Sequence, residues 1–118
     1  MIKVELTHRA MLDLIEINEY SIQKFGQKIA EKYLDDIEAA LLLIREQPKL
    51  LISKKDASKF FQFYPVRKHH LICTRVKDIV IVLTIKHCQM DLLERLNELE
   101  PNLQLEAELL HKKLLGKS

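Results

Sequence analysis

Residues 79–85 (IVIVLTI) form the most apolar and β-branched run in the chain, the pattern of a strand buried on both faces. His69–Val76 precedes it as a partner strand, and Lys77-Asp78 has the length of a two-residue hairpin turn, without the favoured glycine. That turn pairs Val76 with Ile79, Thr74 with Ile81 and His70 with Ile85. Alternation then places Ile72, Thr74, Val76, Ile79, Ile81, Leu83 and Ile85 on one face. The opposite face carries Cys73, Val80 and Val82, with Arg67, His69, Arg75, Thr84 and Lys86 among them. The expectation is a core on one side and a charged floor on the other.

The remaining pattern places elements around this hairpin. Ile2–Leu6 alternates as a short first strand, and Thr7 is placed to cap a following helix. Ala10, Leu14, Ile17 and Ser21, with Met11 and Phe25 alongside, supply that helix with its inner stripe, and Gly26 stops it. A second helix is expected from about Gln27 to Glu46, its period marked by Ala30, Tyr33, Leu34, Ile37, Leu41 and Ile44, with Pro48 after it. Two amphipathic helices so closely joined make an antiparallel hairpin, and the sheet is what they have to cover. Residues 49–59 read as an exposed basic loop, and Phe60–Val66 as another strand with Pro65 at an edge. Leu92, Leu93, Leu96 and Leu99 start a third helix. Leu103, Leu110 and Leu114 continue its spacing past Pro101, as one kinked helix or as two. The fold class expected is α+β: an antiparallel sheet packed against an N-terminal helix hairpin, with a C-terminal helix. One domain is expected over residues 1–118, with a core at 2–96 and a helical tail at 97–118.

Charge adds what the pattern omits. The net charge of +2 conceals an uneven distribution. Residues 47–90 hold nine Lys or Arg against two Asp or Glu, whereas both flanking segments are net acidic. Such asymmetry suits an anionic partner. Cys73 and Cys88 are not placed to bridge and have no metal or redox spacing, as suits a reducing cytoplasm. The opening residues lack a signal-peptide pattern, and no apolar run is long enough to cross a bilayer.

Three segments carry a resemblance. VELTHRAMLDLIEINEYSIQKFG, AEKYLDDIEAALLLIREQP and HHLICTRVKDIVIVLTIKHCQMD, in that order, resemble the RelE/ParE superfamily of type II toxins. The first contains an Ala-x-x-Asp-Leu helix leading to Phe-Gly, and the last ends in His-x-x-Met-Asp at His87, Met90 and Asp91. The likeness spans roughly residues 2–96. It implies a cytoplasmic toxin neutralised by a cognate antitoxin. RelE-like members cleave mRNA on the ribosome with an Arg after the last strand and a Tyr near the C-terminus. Here Cys88 and Glu94 fall at those places, and neither supplies the cationic clamp that an RNA phosphate requires. The sequence is therefore more similar to the ParE-like branch, which implies DNA gyrase as target and action by binding. The alternatives implied are a ribosome-dependent endoribonuclease and a non-toxic, complex-forming domain of the same fold.

On this reading Arg67, His69, Arg75, Lys86 and His87 form a groove for the antitoxin or another anionic partner, and Lys54, Lys55 and Lys59 form a basic loop. No catalytic residue is assigned, because a cationic groove without a general base is a docking surface more than a reaction site. His69 and His70 point to opposite faces in the expected register, which separates them as metal ligands, and His87 reads as a hydrogen-bonded strand end. No metal or other cofactor is expected.

Overall fold

The computed structural model describes residues 2–88 and 91–116. Met90, part of the closing motif noted above, lies outside them. Strand β1 (Lys3–Leu6) leads into helix α1 (His8–Phe25) and helix α2 (Gln27–Glu46). A 3-10 turn at Pro48–Leu50 follows, then β2 (Gln62–Val66), β3 (His69–Val76), β4 (Ile79–His87) and helix α3 (Leu92–Leu115).

Local chemistry fixes the joints. The Thr7 hydroxyl accepts from the Ala10 amide at 3.1 Å and donates to the Leu83 carbonyl at 2.8 Å, so one side chain caps α1 and ties it to β4. Gly26 alone links the two helices at φ 91°, a left-handed value that favours glycine. The sheet order is β1-β4-β3-β2, with β2, β3 and β4 antiparallel and β1 joining β4 in parallel. Pro65 sits on the edge strand β2, where a missing backbone donor is tolerated. Between Leu50 and β2 the expected open loop is partly anchored: Leu51 is buried and Ile52 bridges to Phe63.

Both sheet faces are covered, and this corrects the expected open floor. Leu71, Cys73, Val80, Val82 and Ile85 pack under the helix hairpin with Ala10, Ile37 and Ile44. Phe61, Phe63, Ile72, Ile81 and Leu83 pack under α3 with Leu92, Leu96, Leu103 and Ala107. The strands are apolar on both sides, so each face demands a cover. Helix α3 runs unbroken through Pro101, which is exposed. Met11 and Phe25, placed in the inner stripe of α1 by their spacing, are instead 55% and 52% exposed.

The register holds from Val76–Ile79 to Cys73–Val82 and then shifts. Leu83 is the extra residue of a β-bulge, so Ile72 faces Thr84, Leu71 faces Ile85, His70 faces Lys86 and His69 faces His87. The expected pairing of His70 with Ile85 is thereby corrected. Ile85 moves to the hairpin side, whereas the other six residues of its expected face keep their alternation with β4 up to the bulge. Asp13 on α1 meets this irregularity. Its carboxylate accepts from the Thr84 hydroxyl and, at 2.9 Å, from the Ile85 amide, satisfying two donors in a part of the strand that is itself buried.

Candidate partner site at the end of the sheet

The sheet ends where the β2–β3 turn, the end of β4 and the start of α3 converge. Arg67 occupies the turn at φ 54°, strained for a side-chain-bearing residue, and its guanidinium pairs with Asp36 on α2 while lying 5.2 Å from the Tyr33 ring centre. Tyr33 is hydrogen-bonded to His69 Nδ1, and the His69 ring stands edge-on to His87, with centres 5.2 Å apart. The bulge creates this neighbourhood, because the regular register would have set His69 beside Lys86.

Burial governs the electrostatics. It pushes the His69 imidazole down to about 4, with the His87 ring acting in the same direction, so His69 is neutral at physiological pH. A neutral ring accepting at Nδ1 from the Tyr33 phenol carries its proton on Nε2. Burial also raises Tyr33 above the ordinary phenol range, keeping its hydroxyl a donor. His70 is lowered by burial and then by Lys54, whose ammonium lies 4.9 Å from the Phe63 ring centre. Cys88 Sγ lies 2.9 Å from His70 Nδ1, and the Cys88 amide donates to the Lys68 carbonyl at 2.8 Å, extending the β3–β4 pairing past His87.

The residues expected to form one groove divide into two places. Arg67, His69 and His87 come together on the hairpin side. Lys86 is at the same end but pairs with His70 and lines a small cavity of about 180 Å³ with His87, Arg95 and Leu96. Arg75 is elsewhere: it is exposed near the β3–β4 turn, and its Nε donates to the Lys77 carbonyl at 3.2 Å. Six residues of strand separate it from His69, about 20 Å at the usual rise. In the basic loop, Lys54 reaches the sheet end, while Lys55 and Lys59 are exposed side chains of the turns between Leu51 and Phe61.

Sequence reasoning missed Asp13, Tyr33 and Asp36 as builders of this region. The available signal was polar groups on otherwise inward-facing helical positions. Among the described residues, no group of three or more His, Cys, Asp or Glu could hold a metal ion, and no helix is long and apolar enough to cross a membrane. What the sheet end offers chemically is Arg67, Lys68 and Lys86 as cations, beside a histidine held neutral by its surroundings.

Comparisons with known proteins agree with this fold. Residues 4–92 match the family described as the ParE toxin of the type II toxin-antitoxin system, parDE. The solved structure titled "Chromosomal ParDE TA system from P. aeruginosa" is similar at a TM-score of 0.67 and 14% identity, over 75% of this chain and 98% of that one. At that identity the likeness shows the fold. No curated protein matches the sequence.

Proposed function

Since the chain belongs to the ParE toxin family of type II toxin–antitoxin systems, we propose that it is a toxin that acts by binding DNA gyrase, and that its cognate antitoxin lays an acidic segment against the cationic end of the sheet. The observation carrying the docking mechanism is the state of His69. His69 is neutral and its Nδ1 is engaged by Tyr33, so it offers neither an imidazolium acid nor a free Nδ1 base to a phosphodiester at neutral pH. Arg67, Lys68 and Lys86 supply attraction for carboxylates, which sets both register and association rate.

Arg67→Glu combined with Lys86→Glu tests the antitoxin site. Losing the exposed Arg67–Asp36 pair costs about 1 kcal/mol or less, so the variant is expected to remain folded by circular dichroism. Growth inhibition should persist while rescue by the antitoxin weakens at least about tenfold, because two attractions become repulsions. Arg75→Glu, at the other end of β3, is the control and should be rescued normally. Purified wild type should inhibit gyrase supercoiling. mRNA cleavage on ribosomes by the wild type, with loss of toxicity in the folded double variant, would instead establish the endoribonuclease reading.

A further inference from the structure

At the end of the sheet a thiol and an imidazole stand in direct contact. Cys88 Sγ lies 2.9 Å from His70 Nδ1, within reach of a hydrogen bond. The backbone holds both partners. The Cys88 amide donates to the Lys68 carbonyl, and His70 sits between Pro65 and Lys86 of its neighbouring strands. The His70 ring packs edge-on against the buried Phe63 ring, with centres 6.2 Å apart, which fixes its orientation. Burial and then Lys54 lower His70 below the ordinary imidazole value, so the ring is unprotonated at neutral pH. The thiol is then the donor, and the ring carries its own proton on Nε2. Cys88 is exposed, whereas Cys73 is sealed in the core with its thiol pushed up to about 12. One cysteine is open to reagents beside a free base, and the other is neither.

The charges around the pair suit an anionic reagent. Lys54 acts on His70 from the loop before β2, Lys86 is the cross-strand partner of His70, and Lys68 holds the Cys88 backbone. From α2, Tyr33 lies within electrostatic range of Cys88. Asp36 on α2 and Asp91 before α3 are each paired with an arginine, Arg67 and Arg95. Lys54, Lys68 and Lys86 are thus placed to draw negative charge towards the exposed sulfur.

We propose that Cys88, with His70 as its general base, is a site of reversible thiol–disulfide exchange with anionic low-molecular-weight disulfides. As the Cys88 sulfur attacks one sulfur of the disulfide, its proton passes to His70 Nδ1, a new S–S bond forms and the old one breaks. The departing thiolate takes the proton back, leaving a mixed disulfide on Cys88 and one free thiol. The Cys88 sulfur is oxidised and the departing sulfur reduced, so the disulfide is the only oxidant consumed. A thiol reductant reverses the step. The adduct sets an anionic group among Lys54, Lys68 and Lys86, two of which serve the antitoxin site proposed above. On that reading, oxidation loosens the complex and frees the toxin.

The test incubates the reduced full chain with glutathione disulfide, which is net anionic at neutral pH, and follows the adduct by mass spectrometry. One adduct should form, map to Cys88 and be removed by dithiothreitol. At pH 7 and low salt, Cys88 should react at least about tenfold faster in the folded protein than in urea, where no base is held beside it. His70→Gln should abolish that advantage at pH 7 yet match the wild type at about pH 10, where thiols ionise unaided. Cystamine, a cationic disulfide, should react more slowly at low salt, with the gap closing in about 1 M NaCl. No adduct, a folded rate no higher than in urea, or equal rates with and without His70 at pH 7 overturns the proposal. The purified adduct should bind antitoxin at least about tenfold more weakly. An adduct that forms as described but binds antitoxin normally overturns the antitoxin site and leaves the exchange site standing.

Discussion

Asp13 shows how one side chain can hold a local irregularity. It receives a hydroxyl and an amide where β4 changes register, and both donors are buried. Asp13→Ala leaves both without that acceptor, and about 3 kcal/mol of stability should be lost in urea denaturation. His69 is a second case, with a pH signature. Its native value of about 4 lies below the unfolded value of 6.5, so the unfolded chain binds the proton first. The stability of the neutral ring is intact above pH 6.5 and is lost as pH falls from 6.5 to about 4. Allowing for the ring's partial exposure, the loss should be about 2 kcal/mol. Urea midpoints at pH 7 and pH 4.5 measure it, and His69→Gln should remove that part of the slope. Cys73, fully buried, has its thiol pushed up to about 12, whereas Cys88 is exposed. Mass spectrometry after iodoacetamide treatment should find only Cys88 labelled in the folded protein and both in urea.

At the scale of elements, the spacing of apolar residues was a sound guide wherever a helix or strand had one partner. Thr7 as cap, Gly26 as stop and the limits of α2 were all legible because each is decided within a few residues. The sheet's second cover was not. Val80, Val82 and Cys73 were visible as apolar, but that the hairpin covers their face while α3 covers the face of Ile72, Ile81 and Leu83 depends on contacts between residues far apart in the chain. The same holds for the stripe of α1: Met11 and Phe25 are apolar at a plausible spacing, yet both are exposed. Ile37→Asp, which buries an unpaired charge between α2 and the sheet, should cost several kcal/mol and abolish cooperative unfolding at 37 °C. Ile15→Asp, on the outer stripe, should change stability by about 0.5 kcal/mol or less. Thermal melts of the two separate inner from outer stripe.

For the whole molecule, the family match ends at residue 92, where α3 begins. Helix α3 thus lies beyond the matched segment, and it seals Phe61, Phe63 and Ile72 from water. Approaches left to a partner are the ends of the sheet, its edges and the outside of the hairpin. The location of the positive charge could be read in the sequence, but not its shape. Alternation sets Arg67 and Arg75 on one floor because it gives the side of a sheet and says nothing of distance along it.

The bulge at Leu83 has a consequence for anyone who would edit this protein. Before it, odd-numbered residues of β4 face α3; at Ile85 an odd-numbered residue faces the hairpin. The strand is therefore written in two phases, with Leu83 as the comma between them. Deleting that residue would remove the irregularity and keep the pairing beyond it: Thr84 would take its place opposite Ile72, while Ile85 would stay opposite Leu71 on the hairpin side and His87 opposite His69. The loss of that one codon would be felt under α3, where a hydroxyl would stand in place of a buried leucine side chain, and at Asp13, which would lose the Thr84 hydroxyl.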